Sequence, residues 1–330
     1  MGQFLNDLRD HRAFVLAFAP LAALALAIGV GAPFAIQYAG DHVPAVGALL
    51  RSISIAFDPK IIYLPLGMVF VTVASLGIEA IGLGYRDSTI HRILTNASPS
   101  VRTDLFYFLL RVSGLTAVLA FLVSFGTFGL LVAWIEQRVD LRVLQQIENP
   151  LLQFVAVALA QSLSFYAFHR LMHTKLLWEV HKVHHSAEDY NVLLPYRNHP
   201  IDFLGATLLS ALFAAVLGAG AGVVIAWSVV NGFYQSLVHS RLQWKWTWLN
   251  YVLITPAAHR VHHSTSPAHF NRNYGILTLW DWLFRTYHPP QDEPIAIGVA
   301  DRDNFNTDRH FSEMGLVVLR WLGLAKAGRG

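Results

Sequence analysis

The chain has 330 residues, of which 54% are hydrophobic and only 14% charged. That balance excludes an ordinary water-soluble surface and describes a polytopic membrane protein. With no cysteine, disulfides, thiolate-held metals, iron–sulfur clusters and a cysteine nucleophile are excluded, and a net charge of +3 interleaved with apolar runs excludes nucleic acid as a partner.

The first apolar run, Ala13 to Ile36, follows Arg9, Asp10, His11 and Arg12. At about 24 residues it can cross a hydrocarbon core of roughly 30 Å, and it is too long for the apolar region of a signal peptide. A second spanning run reads from Ile61 to Tyr85 with one carboxylate, Glu79, and a third from Leu105 to Ile135, interrupted by Arg111. A fourth, Leu151 to Phe168, is short and feeds into the first histidines. From Phe203 to Val238 there is no charge at all, a stretch too long for one helix and too short for two full spans with a loop. A hairpin broken at Gly218, Gly220 and Gly222 fits it, and such a hairpin returns His199 and His239 to one side. Trp244, Trp246, Trp248 and Tyr251 then read as an interfacial belt.

Basic residues set the sidedness. Arg9, Arg12, Arg86, Arg92, Arg102 and all Lys and Arg from Arg170 onward share one face, against Arg51, Lys60, Arg138 and Arg142 on the other. The histidine-rich side is therefore expected in the cytoplasm. The expected architecture is an all-α membrane bundle of about four spans plus a hairpin pair, with a cytosolic histidine-rich helical cap. Its segments are 1–150 (membrane region), 151–290 (catalytic) and 291–330 (C-terminal tail), placed in a bacterial inner membrane.

Thirteen of the sixteen histidines lie between His169 and His310. They form His169-xxx-His173, His181-xx-His184-His185 and His259-xx-His262-His263, with His199 and His239 alone. Helical spacing places each cluster on one face. Eight imidazoles exceed what one ion takes and suggest two metals. Stacking so many on helices for packing alone costs desolvation with no return. Ligand type leaves zinc and iron both open. His269, His288 and His310 are weaker candidates, and His11, His42 and His91 stand outside the pattern. Glu188, Asp189, Asp202 and Asp281 are the carboxylates nearest in sequence for orienting imidazoles, with a solvated or helix-capping role as the alternative for each.

These boxes, together with His184-His185-Ser186-Ala187-Glu188-Asp189-Tyr190-Asn191, Arg197-Asn198-His199-Pro200, Val238-His239-Ser240 and Asn273-Tyr274-Gly275 ahead of Trp280-Asp281, resemble the fatty acid hydroxylase superfamily of sterol desaturases, sterol methyl oxidases and alkylglycerol monooxygenases. The resemblance covers roughly residues 150 to 290. It implies a membrane di-iron oxygenase that uses two iron ions and O₂ to hydroxylate or desaturate a lipid arriving from the bilayer. The lipid would be a sterol, fatty acyl chain or ether lipid. Electrons would come from a separate donor: a ferredoxin, a small haem protein or a flavin reductase. Carried over position by position, the ligands fall on His169, His173, His181, His184, His185, His259, His262 and His263, with His239 and His199 as further matching positions. Phe284-Arg285-Thr286 departs from the family's Phe-Gly-Thr. Two other readings compete: a zinc-dependent lipid hydrolase, and a metal transporter, which would need ionisable groups within its spans.

Overall fold

The computed structural model describes residues 63–124, 127–139, 141–219, 221–243, 248–291, 293–299 and 310–325. The run from Ala13 to Ile36, with His11, His42, Trp244 and Trp246, lies outside the described residues. Within them the chain is helical, and its β pairing is limited to two isolated bridges, Leu253 with Leu277 and Ser264 with Ile297.

The helices are α1 (Tyr63–Leu83), α2 (Thr89–Thr95), α3 (Pro99–Val112), α4 (Leu115–Ser124), α5 (Thr127–Glu136), α6 (Pro150–Met172), α7 (Trp178–His185), α8 (Pro200–Leu217), α9 (Ala221–Val238), α10 (Pro256–His262), α11 (Thr278–Leu283) and α12 (His310–Trp321). Several begin the same way, with a polar cap followed by proline, whose missing N–H costs nothing in the first turn. Ser98 accepts from the Val101 N–H before α3, Asn149 from Leu151 and Leu152 before α6, and Thr255 from Ala258 before α10.

Two expectations are corrected here. The third apolar run is not one helix: its first part ends at Val112, turns through Gly114 at φ 77°, and helix resumes at Leu115, described as α4 and α5 on either side of residues 125 and 126. The fourth run is not short. Its helix continues through His169 and Arg170 to give 23 residues, the one helix among the described residues long and apolar enough to cross a membrane.

The hairpin forms where the glycines place it. α8 and α9 are 18 residues each, or about 27 Å, and the turn uses Gly218 at φ 67°. A Cβ on Gly218 would stand 2.8 Å from the Arg142 Cα, so the loop holding Arg142 lies at the hairpin tip, far from the histidines at its base. α6 packs against both arms, α9 also against α1, and α8 also against α4 and α5. Large apolar side chains face outward on this bundle, Phe70, Ile81, Leu130 and Leu151 among them.

At the other end the chain is polar and tied by buried bonds. Glu79 is fully buried and accepts from the Thr89 and Arg241 N–H groups, each at 2.7 Å. That bond joins the end of α1 to the segment after α9. Arg197, also fully buried, donates to Asp104 Oδ1 at 2.6 Å and to the Ser100 carbonyl at 2.6 Å, fixing α3 to the loop after α7. α12 lies across α7, with Val317 in one cluster with Met172, Val180 and Val183.

Candidate metal centre

Nine histidines converge at the base of the hairpin in two adjoining groups. His169, His173, His181, His185 and His262 make one; His184, His239, His259 and His263 make the other. In each group the ring nitrogens lie within 4.8 Å of one another. The expectation that each HxxHH box presents one face is corrected. At about 100° per residue, positions i and i+4 share a side while i+3 diverges, so His181 and His185 go to one group and His184 to the other. The last box divides the same way, His259 and His263 against His262. Adjacent residues thus serve different groups, and the groups stay close: the His185 and His263 ring centroids are 4.4 Å apart.

Hydrogen bonds fix which nitrogen each ring offers. His169 Nδ1 donates to the Tyr274 carbonyl at 2.8 Å and His262 Nδ1 to the Arg272 carbonyl at 2.7 Å. A carbonyl only accepts, so both protons sit on Nδ1 and both Nε2 atoms carry bare lone pairs. Those two Nε2 atoms are 3.0 Å apart, a repulsive contact between neutral rings that a cation between them resolves. His239 donates Nδ1 to the Gln235 carbonyl at 2.8 Å and turns its Nε2 to His184 and His259 at 3.3 and 3.0 Å. His181 Nδ1 pairs with Asp202 Oδ2 at 2.8 Å, and its Nε2 is buried without a partner, as are Nε2 of His173 and His185 and both nitrogens of His263. Protonation does not rescue those of His173, His185 and His263. Burial holds His184, His185, His259 and His263 well below the ordinary histidine pKa and His262 at about 3. These five rings are neutral, which is the ligand form.

Converging lone pairs and orphaned buried nitrogens fit metal ions. The donor set, five nitrogens beside four with no thiolate or carboxylate among them, suits iron and other imidazole-binding metals. The group of five exceeds the four ligands of a structural zinc site.

His199 is brought to neither group, which corrects its assignment as a ligand. Its Nδ1 accepts from the Ile201 N–H at 3.2 Å and its Nε2 pairs with the Met314 carbonyl at 3.1 Å. With Pro200 opening α8, it serves as a helix cap. His269 pairs with Ser264 and stacks edge-on with His288 away from the groups, and His91 packs against Tyr85.

Of the carboxylates, Asp202 touches a ring and Asp281 acts one step back. Asp281 accepts from the Tyr274 and Gly275 N–H groups at 2.9 and 2.7 Å and from Thr286 Oγ1 at 2.7 Å, setting the carbonyl that orients His169. Burial pushes its pKa up while those donors pull it down. Asp189 pairs with Arg92 and accepts from Ser98 instead of holding a ring. Sequence reasoning missed the carbonyls of Gln235, Arg272 and Tyr274, which carry no side-chain signature. It also passed over Arg111, noted only as a break in an apolar run. Arg111 lines an apolar cavity of about 150 Å³ that borders both groups, with Phe165, Phe168, Met172 and Phe203 as walls.

Comparison with known proteins agrees with this geometry. The fatty acid hydroxylase family matches residues 154–286, a stretch holding all nine histidines. Alkylglycerol monooxygenase of Danio rerio is 33% identical over 139 residues, 42% of this chain and 31% of that protein. Ornithine lipid hydroxylase of Rhizobium tropici is 36% identical over 140 residues, 42% of each chain. A very-long-chain aldehyde decarbonylase of Oryza sativa is 23% identical over 144 residues, covering 39% of this chain and 22% of its own length. The chain thus spans less than half the length of these relatives. No solved structure matches it.

Proposed function

Starting from residues 154–286 as a fatty acid hydroxylase domain, we propose that the chain is a membrane di-iron oxygenase that hydroxylates or desaturates an unactivated C–H position of a lipid. The observation that carries this reading is the pair of imidazole groups opening on one apolar cavity. Relatives named for lipid hydroxylation and monooxygenation support it. His169, His173, His181, His185 and His262 would hold one iron, and His184, His239, His259 and His263 the other. Bound there, the ions supply the activation of O₂ that cleavage of such a bond requires, with electrons from a separate donor protein.

The chain's own residues prepare that chemistry. Asp202 and the carbonyls of Tyr274, Arg272 and Gln235 hold four rings with Nε2 inward. Phe165, Phe168 and Met172 give the cavity apolar walls. The hairpin brings a ligand, His239, and an arm of the cavity wall to the same place. The outward apolar side chains of the bundle suit a bilayer, and the lipid reaches the cavity from it. The basic-residue pattern supports a cytoplasmic catalytic side in a bacterial inner membrane, with 1–150 as membrane region, 151–290 as catalytic region and 291–330 as tail.

The test is metal content with lipid analysis. Protein isolated without chelator should carry close to two iron ions per chain, and lipid extracts from cells with and without it should differ by one added oxygen or two lost hydrogens. One zinc per chain with a hydrolysed lipid would replace this reading by the hydrolase.

A further inference from the structure

Arg111 is unlike the other buried cations of this protein. Arg197 is saturated by Asp104, Ser100 and Ser186, and Arg320 pairs with Glu313 at 2.7 Å. The Arg111 guanidinium lies over the Phe203 ring, 3.8 Å from its centroid. Among the described residues it has neither a carboxylate nor a carbonyl to receive its five N–H donors. Asp202, the carboxylate on the same cavity, is already held by His181. A positive charge is thus presented, without a hydrogen-bonded counter-ion, to a cavity walled largely by apolar side chains that also borders Asp202, His169, His184 and His259.

A guanidinium so placed matches a planar or tetrahedral oxyanion, which takes two of its N–H groups at once. We propose that Arg111 anchors a carboxylate or phosphate group of the lipid substrate, so that the attached chain runs along Phe165, Phe168 and Met172 past the histidines. The inference rests on the lipid oxygenase reading and adds the class of lipid: one with an oxyanion near the carbon that reacts. Arg111 lies outside the matched residues 154–286, so the anchor belongs to this chain's own N-terminal part and sets which lipid the shared centre receives.

Binding tests this without turnover. The full chain in neutral detergent is titrated calorimetrically with decanoate, decyl phosphate, decanol and inorganic phosphate. The two alkyl anions should bind roughly 10-fold or more tighter than decanol, the range of a charge-assisted pair in a dry site. Inorganic phosphate alone should bind more weakly than decyl phosphate. Arg111→Gln, with its metal content unchanged, should erase the preference, and Arg111→Lys should keep part of it. Equal affinity for decanol and decanoate overturns the proposal, as does a preference that survives Arg111→Gln. Inorganic phosphate binding as tightly as decyl phosphate overturns it too, since the site then serves a free anion. If Arg111→Gln does not fold, the unaltered chain and Arg111→Lys still decide. Lipid oxidation measured on the same preparation separates the two readings. Arg111-dependent anion preference without oxidation removes the oxygenase and leaves the anchor.

Discussion

Asp202 opens α8 and reaches His181, which sits on α7; that single bond at 2.8 Å fixes one ring's tautomer. Asp202→Asn keeps the shape and removes the charge, so metal affinity should fall about 10 to 100-fold, read by competition with a chelator. His184→Ala and His262→Ala each delete a converging nitrogen, one from each group, and should drop bound metal and bring turnover below detection. His199→Ala is the contrast: it removes a helix cap, should cost about 1 kcal/mol of stability, and should leave metal content intact. Acid should act on the metal-free protein through the same rings. In the unfolded chain a histidine takes its proton near pH 6.5, while folded His262 waits until about 3. Between those values the unfolded state holds more protons, so stability is lost as pH falls through that window. Melting temperatures in chelator from pH 7 to pH 4 should decline accordingly. A flat profile would contradict neutral buried rings.

The loop after α10 shows how elements place the site. Gly275 touches the Asp281 carboxylate so closely that a Cβ would stand 2.7 Å from Oδ2 and 2.6 Å from the Leu277 carbonyl. Gly275→Ala should therefore displace the Tyr274 carbonyl, tilt His169 and weaken metal binding at the group of five before that at the group of four. Arg285 stands at φ 59°, a left-handed backbone that favours glycine, in the tripeptide where the resembling family has Phe-Gly-Thr. Arg285→Gly should raise stability by up to about 1 kcal/mol, seen as a higher melting temperature. Much of this was legible in the sequence. Ligand spacing named eight of the nine converging histidines, and the uncharged stretch with its glycines named the hairpin that returns the ninth, His239. His199 misled because a histidine before proline looks the same whether it caps a helix or binds an ion. Hydropathy merged α3 with the helix that follows it because the turn at Ser113 and Gly114 interrupts the backbone without adding charge. The division of each HxxHH box depends on which helices face one another, and no local pattern carries that.

Across the whole molecule, the absence of cysteine makes sidedness directly measurable. Single cysteines at Arg142 and Glu148, beside the hairpin tip and the start of α6, should react with an impermeant thiol reagent from outside intact cells. Cysteines at Thr174 and His288 should react only after the membrane is opened; reversed labelling would sink the proposed orientation. The division of the histidines into two groups also has a consequence in time. Four of the five rings in the first group, His169, His173, His181 and His185, leave the ribosome before the hairpin does, and only His262 comes after it. The second group has one early member, His184, and waits for the hairpin to bring back His239 and for α10 to supply His259 and His263. Synthesis thus imposes an order on the two groups. The first is nearly complete on the nascent chain, whereas the second assembles only once both arms of the hairpin have settled against α6, so a chain with a faulty hairpin would present half a centre.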